Sequence, residues 1–123
     1  GDDTGVPAIA RRLDELPAGT RAVVLAEVDN AADQVPFQSV AEMTVTWVHR
    51  NGAEPGATDV LARGLASLKL PKGDYYAWVA CESLTAKALR AQLIANHGAN
   101  PKWIRAAGYW RRGAVAVHEN HND

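Results

Sequence analysis

The chain has 123 residues, of which 47% are hydrophobic and 22% are charged, and this composition is typical of one globular domain. Its 13 basic and 14 acidic residues nearly cancel, so no overall positive field attracts nucleic acid. No apolar run reaches the roughly 18 to 20 residues of a membrane-spanning helix. The single cysteine, Cys81, excludes an internal disulfide, and the first residues lack the pattern of a secretory signal. We therefore expect a cytoplasmic protein.

The first half of the sequence predicts one helix followed by two strands. Apolar residues spaced three and four apart over residues 4–16 follow one face of a helix, with Pro7 in its first turn. Residues 21–28 (RAVVLAEV) form a nearly continuous apolar run, which is typical of a strand buried on both faces of a parallel sheet. Residues 44–49 (TVTWVH) are β-branched and aromatic and predict a second strand. We expect the intervening residues to form an irregular surface excursion.

The second half predicts two helices and two further strands. Thr58 can cap a helix that extends to about residue 68, although Gly64 weakens its middle. Residues 75–80 (YYAWVA) resemble a third strand in composition. The strongest helical pattern covers residues 84–97, with Ser83 as the predicted N-cap and Gly98 as the C-terminal stop. Residues 103–108 predict the last strand, and the polar end of the sequence, HENHND, is typical of a disordered tail.

The alternation of helices and strands predicts an α/β domain with a mostly parallel sheet and helices on both of its faces. In a parallel sheet each helix connects two strands, so a leading helix implies a strand before it. That first strand is absent from this sequence, and its absence leaves strand edges that face a gap. Three explanations stay open: a fragment of a larger protein, a truncated gene product, or a domain whose gap is filled by another chain or by residues 115–118. The other chain would be a second copy in a homodimer or a strand-complementing partner. Residues 1–113 form the predicted domain, and residues 114–123 form a polar tail.

The first candidate site is the N-terminal loop, which consists of Gly1, Asp2, Asp3, Thr4 and Gly5. This loop precedes the first helix, where backbone N–H groups and the helix dipole favour an anion such as a pyrophosphate. The alternative is that Asp3 or Thr4 merely caps the helix. The standard dinucleotide fingerprint G-x-G-x-x-G is missing.

Two other candidates lie at predicted strand ends, where an open α/β sheet forms its ligand crevice. His49 and Arg50 end the second predicted strand. The planar guanidinium of an arginine can donate two parallel hydrogen bonds to a phosphate monoester. The alternative is that Arg50 is a solvated loop residue. Ala80, Cys81 and Glu82 lie between the third strand and the strongest helix. Cys81 is a potential nucleophile, but no histidine is placed to activate it, and unpaired cysteines commonly behave as small buried hydrophobic residues.

The last candidate is the segment GYWRRG, whose site residues are Tyr109, Trp110, Arg111 and Arg112. The two aromatic rings can stack on a planar ligand, and the two arginines can bind an anion. The alternative places Trp110 in the core and both arginines in solvent. The four histidines show no metal-ligand spacing, so we expect no metal site, and no catalytic acid–base pair is visible.

The successive segments GDDTGVPAIARRLDELPAGTRAVVLAEV, VTWVHRNG, YYAWVACES and GYWRRG resemble the nucleotide-binding C-terminal domain of siderophore-interacting proteins. These proteins are flavin-dependent ferric-siderophore reductases of the ferredoxin-reductase-like superfamily. The resemblance covers residues 1–113 and implies a strand order of 3-2-1-4-5 behind a flavin-binding barrel domain. It also implies that hydride passes from NAD(P)H to FAD, and that electrons then reduce the ferric siderophore and release ferrous iron.

The resemblance also implies roles for the candidate residues. The positions implied to contact the nicotinamide nucleotide are Gly1, Asp2, Thr4 and Gly5 in the loop, His49 and Arg50 at the adenosine 2′-phosphate, and Ala80, Cys81 and Glu82 near the nicotinamide. Pro7 matches the characteristic proline after the loop. The family often has cysteine-glycine-proline near the nicotinamide, and Glu82 and Ser83 depart from that pattern. Tyr109 and Trp110 match aromatic residues near the flavin, and Arg111 and Arg112 are implied to contact the anionic siderophore.

We therefore expect the NAD(P)H-binding part of a ferric-siderophore reductase, whose redox step depends on a flavin domain outside this sequence. The sequence leaves two alternative functions open. One is a non-catalytic module that binds a nucleotide or a partner flavoprotein. The other is a structural remnant without a ligand.

Overall fold

The computed structural model describes residues 1–70, 73–113 and 119–120. Its helices and strands, in chain order, are α1 (Val6–Glu15), β1 (Arg21–Val28), β2 (Glu42–His49), α2 (Val60–Ser67), β3 (Ala77–Glu82), α3 (Ser83–His97), β4 (Ile104–Trp110) and β5 (Glu119–Asn120). The predicted α/β fold is confirmed, with parallel strand pairs and three helices in this part of the chain. No helix among these residues is long and apolar enough to span a membrane.

The strands form two hydrogen-bonded groups. β1 pairs in parallel with β2, and β3 pairs in parallel with β4, whereas β5 runs antiparallel on the other edge of β4. In the described part of the chain, β1 and β3 are not paired with each other. Each of these two strands therefore has an edge that faces the predicted gap.

Successive residues of β1 show that helices cover both faces of this strand. Val24 and Ala26 belong to a hydrophobic cluster with Leu13 of α1. Leu25, which points to the opposite face, packs against the larger cluster built from α2, α3, β3 and β4. Leu65 of α2 is one of the buried residues in that cluster. The long apolar run RAVVLAEV is thus explained by burial on both faces.

Several strand boundaries differ from the prediction: β2 begins at Glu42, which pairs with Arg21, rather than at residue 44, and β4 spans Ile104–Trp110 rather than residues 103–108. β3 begins at Ala77 rather than at residue 75, because its partner β4 begins at Ile104, which pairs with Ala77. The preceding residues Pro101–Trp103 form a 3₁₀ turn and offer no strand for residues 75–76 to pair with. At the other end, β3 continues to Glu82, which pairs with Trp110 after a register shift. Both strands therefore extend closer to the candidate site than the sequence predicts.

The helix ends show a second correction. The N-cap of α3 is Glu82 and not Ser83, because a Glu82 carboxylate oxygen accepts the Thr85 amide at 3.0 Å. Thr58 does not cap α2 as predicted: the N-cap is Asp59, and the Thr58 hydroxyl accepts the Val60 amide at 3.3 Å. Gly98 adopts a left-handed φ of 63°, which confirms the predicted stop of α3.

Gly64 lies where α2 packs against the β1–β2 pair. A Cβ added there would lie 3.0 Å from a methyl group of Leu25 and 3.1 Å from one of Val48. The glycine lowers helix propensity, but it lets the helix approach the strands closely.

The polar tail is only partly described. The prediction of disorder is wrong for Glu119 and Asn120, whose backbone pairs with Gly108 and Ala107 of β4. Backbone pairing to a strand edge requires no hydrophobic side chain, which is why composition missed it. Residues 114–118, which include the segment 115–118 named as one possible filler of the gap, and residues 121–123 lie outside the described residues. The predicted irregular excursion contains a 3₁₀ turn (Ala31–Asp33) before β2 begins.

The gap between β1 and β3 forms a cleft of about 740 Å³. Val24 and Leu25 line it from β1, and Trp78 and Val79 line it from β3. Gly1 closes one end, since its nitrogen donates to the Leu25 carbonyl and its carbonyl accepts the Glu27 amide, both at 2.8 Å. This is the hydrogen-bond pattern of a parallel strand pair. Gly1 therefore occupies one strand position between β1 and β3.

Candidate functional site

Asp2 connects three separate segments at the carboxyl ends of the strands. One of its carboxylate oxygens, Oδ1, accepts the Thr4 amide at 3.0 Å and the Thr4 hydroxyl at 2.5 Å. The other oxygen, Oδ2, accepts the Glu82 amide at 3.0 Å and the Trp110 indole N–H at 2.8 Å. Asp2 is 4% exposed. Its carboxylate therefore fixes the N-terminal loop to the ends of β3 and β4, and it is already occupied by protein donors.

The glycines of the N-terminal loop lie against β3. A Cβ added to either Gly1 or Gly5 would overlap the Ala80 carbonyl oxygen. These two positions therefore accept no side chain without a shift of the backbone. Close packing on β3 is sufficient to explain both glycines.

The first turn of α1 has no acidic residue and no side-chain cap. Its N-cap is Gly5, and Pro7 lies in the first turn as predicted. The alternative in which Asp3 or Thr4 caps this helix is wrong, since Thr4 bonds to Asp2 and Asp3 bonds to Arg50. The N-terminus of α3 differs, because the Glu82 carboxylate closes it. The α1 start carries no carboxylate, and its Gly5 and Val6 amides donate to the Asp2 carbonyl at 2.9 and 3.1 Å, so what it offers an anion is the positive end of the helix dipole.

Arg50 forms ion pairs with two carboxylates at this edge. Its guanidinium contacts both oxygens of Asp3, from Nη1 at 2.5 Å and from Nη2 at 3.1 Å, and Nη1 also contacts Glu27 at 3.1 Å. Only 7% of the Arg50 side chain is exposed, so the alternative of a solvated loop arginine is wrong. Its Nε is buried without a hydrogen-bond partner. Arg50, Asp3 and Glu27 form an ion-pair network in which Arg50 and Glu27 are buried and Asp3 is half-exposed. The network has two negative charges and one positive charge.

The network shifts the pKa values of its members in different directions. Burial raises the pKa of Asp3, but the hydrogen bonds and charge of Arg50 outweigh it, and the net pKa is lowered. Burial raises the pKa of Glu27, and Arg50 offsets this only in part. The hydrogen bonds that Arg50 donates to Asp3 raise the pKa of Arg50, which stays cationic. Glu27 was not identified as a candidate from the sequence. The signal that could have found it is an acidic residue near the end of an otherwise apolar, buried strand.

The candidate residues Ala80, Cys81 and Glu82 form the end of β3, which α3 follows directly. Ala80 and Cys81 are fully buried. Burial raises the pKa of the Cys81 thiol to about 12, so the thiolate that a nucleophile requires is scarce at neutral pH. Burial also raises the pKa of Glu82, but backbone hydrogen bonds from Thr85, Leu84 and Arg112 outweigh it, so the net pKa is lowered. Glu82 is therefore an ionised cap for α3.

The aromatic pair of GYWRRG lies at the same edge. Tyr109 and Trp110 are half-buried, and the Tyr109 ring meets the Trp78 ring edge-on with centroids 6.4 Å apart. The indole N–H of Trp110 donates to Asp2, so Trp110 is hydrogen-bonded to the N-terminal loop. It is not a fully buried core residue, which was the alternative. Arg111 and Arg112 are exposed, and Arg112 pairs with Glu54 at 3.2 Å.

His49, the candidate residue next to Arg50, is hydrogen-bonded to Gln34 at 2.6 Å. Gln34 lies in the irregular segment between β1 and β2.

The candidate residues thus gather around one edge of the molecule, which we call the site edge: the N-terminal loop, Glu27, Arg50, Glu82 and Trp110. The cleft between β1 and β3 is a separate feature and is lined mainly by apolar residues. The described residues contain no cluster of three or more histidine, cysteine or acidic side chains arranged to bind a metal ion.

Two of the curated relatives that this chain resembles are named as ferric reductases. Ferric vibriobactin reductase ViuB of Vibrio cholerae is 32% identical over 128 residues, which cover 99% of this chain and 46% of that protein. The NADPH-dependent ferric-chelate reductase of Escherichia coli is 27% identical and matches 89% of this chain and 41% of its own length. The chain therefore spans less than half the length of these relatives.

Solved structures agree with this result. A siderophore utilization protein from T. fusca superimposes with a TM-score of 0.82 at 37% identity, over 94% of this chain and 44% of that one. The siderophore-interacting protein SipS from Aeromonas hydrophila gives a TM-score of 0.78 at 25% identity over 94% of this chain and 45% of its own. The family model for siderophore-interacting proteins matches residues 1–113. Because this match covers most of the sequence, the chain belongs to the siderophore-interacting protein family.

Proposed function

We propose that this chain is the NAD(P)H-binding part of a flavin-dependent ferric-siderophore reductase. The observation that supports it best is that two features lie at the same edge. One is the N-terminus of α1, which has no side-chain cap, and the other is the buried guanidinium of Arg50. These two features suit a pyrophosphate and a phosphate monoester, respectively. Two relatives named as ferric reductases, one of them NADPH-dependent, support the same reaction.

In this proposal the chain's own residues bind and orient the nucleotide. The N-terminal loop and the positive end of the α1 dipole attract the pyrophosphate, and Arg50 binds the adenosine 2′-phosphate. The ends of β3 and β4 support the nicotinamide, where Asp2 fixes the backbone of Glu82 and the ring of Trp110 together. When bound, the nicotinamide nucleotide would supply hydride, and a flavin would supply the single electrons that iron reduction requires.

The flavin is bound mainly by a barrel domain outside this sequence. The half-buried rings of Tyr109 and Trp110 leave aromatic surface for contact with it. Arg111 and Arg112 are exposed beside them and suit an anionic ferric siderophore. Arg112 and Glu54 both have more than half of their side chains exposed, so their ion pair is weak enough for a substrate to displace it. We also propose that the protein works in the cytoplasm.

Replacing Arg50 with alanine tests the phosphate assignment. We expect NADPH binding to weaken by about 1.5 to 3 kcal/mol more than NADH binding, the range for a charge-assisted hydrogen bond. Calorimetric titration of both nucleotides into the same variant is the measurement, because any general loss of stability from the unpaired Glu27 affects both alike. Arg63→Ala is the matched control, since Arg63 is 69% exposed and pairs only with Asp59 among the ion pairs of the described residues. Equal losses for both nucleotides would refute the assignment of Arg50.

A further inference from the structure

Asp3 occupies the face of Arg50 that an incoming phosphate needs. Its two carboxylate oxygens contact Nη1 and Nη2 of the guanidinium, which is the two-point arrangement that a phosphate monoester would adopt. Glu27 contacts Nη1 as well, so two carboxylates already compensate one cation. A 2′-phosphate that approaches this network meets net negative charge.

The two carboxylates differ in how easily they can leave. The Glu27 side chain is 5% exposed and lies on β1, whereas the Asp3 side chain is 48% exposed and lies in the N-terminal loop. Ion pairs with one exposed partner are weak, because solvent screens the charge and competes for it. Asp3 is therefore the carboxylate that a ligand can displace, and Glu27 is the fixed partner that keeps Arg50 in place.

From this geometry we propose that Asp3 is a specificity-determining residue that competes with the 2′-phosphate of NADPH for Arg50. The inference rests on the proposed function, since it assumes that the adenosine end of the nucleotide binds beside Arg50. In the nucleotide-free state Asp3 closes the guanidinium fork. NADPH must displace Asp3 to reach Arg50, whereas NADH has no 2′-phosphate and leaves the Asp3 contact intact. Asp3 thus lowers the preference for NADPH that Arg50 alone would give.

The test compares two fragments that differ only in the 2′-phosphate, namely 5′-AMP and adenosine 2′,5′-diphosphate. Calorimetric titration measures their affinities for the chain and for Asp3→Asn, which keeps the size of the side chain and removes its charge. We expect Asp3→Asn to bind adenosine 2′,5′-diphosphate about five- to tenfold more tightly, because the phosphate no longer breaks an ion pair or meets that negative charge. Binding of 5′-AMP should change less than twofold.

Two controls separate this effect from a general change of charge or of loop structure. Asp59→Asn removes the same charge from an exposed pair with Arg63 and should change neither affinity. Asp3→Asn in an Arg50→Ala background should give no gain, because the gain requires the guanidinium. Asp3→Ser serves as a second variant if the asparagine disturbs the loop, and it should show the same selective gain.

The outcomes distinguish this inference from the proposed function. If both fragments bind the chain and Asp3→Asn changes neither affinity, or tightens both equally, the competition is refuted while nucleotide binding stands. A gain that persists without Arg50 would refute it as well. If neither fragment binds the chain or Asp3→Asn, the proposed function fails and this inference fails with it.

Discussion

Replacing Asp2 with alanine is expected to lower the free energy of unfolding by about 3 to 5 kcal/mol, because a buried carboxylate that accepts four hydrogen bonds is removed. The donors are the amides of Thr4 and Glu82, the Thr4 hydroxyl and the Trp110 indole N–H. The Glu82 amide is buried, so water cannot easily replace the missing oxygen. The substitution also separates the N-terminal loop from the ends of β3 and β4.

Urea unfolding followed by tryptophan fluorescence measures this loss. Asp59→Ala is the matched control, because it removes the same side chain from an exposed ion pair. Asp59 is the N-cap residue of α2, but its side chain makes no capping hydrogen bond, so we expect stability to fall by less than about 1 kcal/mol. Asp2→Asn keeps one acceptor oxygen and should fall between the two. If Asp2→Ala were no more destabilised than Asp59→Ala, the central position that we assign to Asp2 would be wrong.

The second large effect concerns the cleft between β1 and β3. Open strand edges and the apolar side chains of Leu25 and Trp78 favour association with other chains. We therefore expect light scattering to show that the 123-residue chain dimerises or aggregates. The backbone pairing of Gly1 with β1 indicates the direction from which a strand would enter the cleft.

An apolar extension tests this interpretation. Adding about five apolar residues before Gly1 should let them pair with β1 and β3, and each buried side chain contributes roughly 1.5 to 3 kcal/mol before the entropy cost of ordering. We expect a melting temperature about 10 °C higher, given roughly 4 °C for each kcal/mol in a domain of this size. A glycine-serine extension of the same length is the control. A monomeric chain whose melting temperature responds equally to both extensions would contradict the expected filling of the cleft.

The elements of this fold that depend on local pattern could be predicted from the sequence. β1 has the predicted bounds because its apolar run is buried on both faces, and α1 follows its three-four spacing of apolar residues. The start of β3 could not be predicted, because YYAWVA has the composition of a strand throughout. The strand begins only where β4 offers a partner, and that pairing depends on residues far along the chain.

The candidate site shows the same limit more strongly. The sequence identified the N-terminal loop, Arg50 and Trp110 as candidates but not how they connect. Asp2 is hydrogen-bonded to Trp110 although 108 positions separate them in the sequence, and Asp3 is hydrogen-bonded to Arg50 over a separation of 47 positions. Residue type shows that a carboxylate needs a partner, but it does not show which donor the fold brings to it. Glu27 was missed for this reason, since its role depends on Arg50 from the neighbouring strand.

The central claim is that a nicotinamide nucleotide binds at the site edge, and titration of NADPH into the ¹⁵N-labelled chain tests it most directly. We predict saturable shifts of the amides of Gly5, Arg50 and Glu82 and of the Trp110 indole N–H, since the proposed site brings the ligand to all four. The amides of Val24 and Val79, which line the cleft, should remain unchanged. Spectra that do not change with NADPH, or shifts confined to the cleft, would contradict the account.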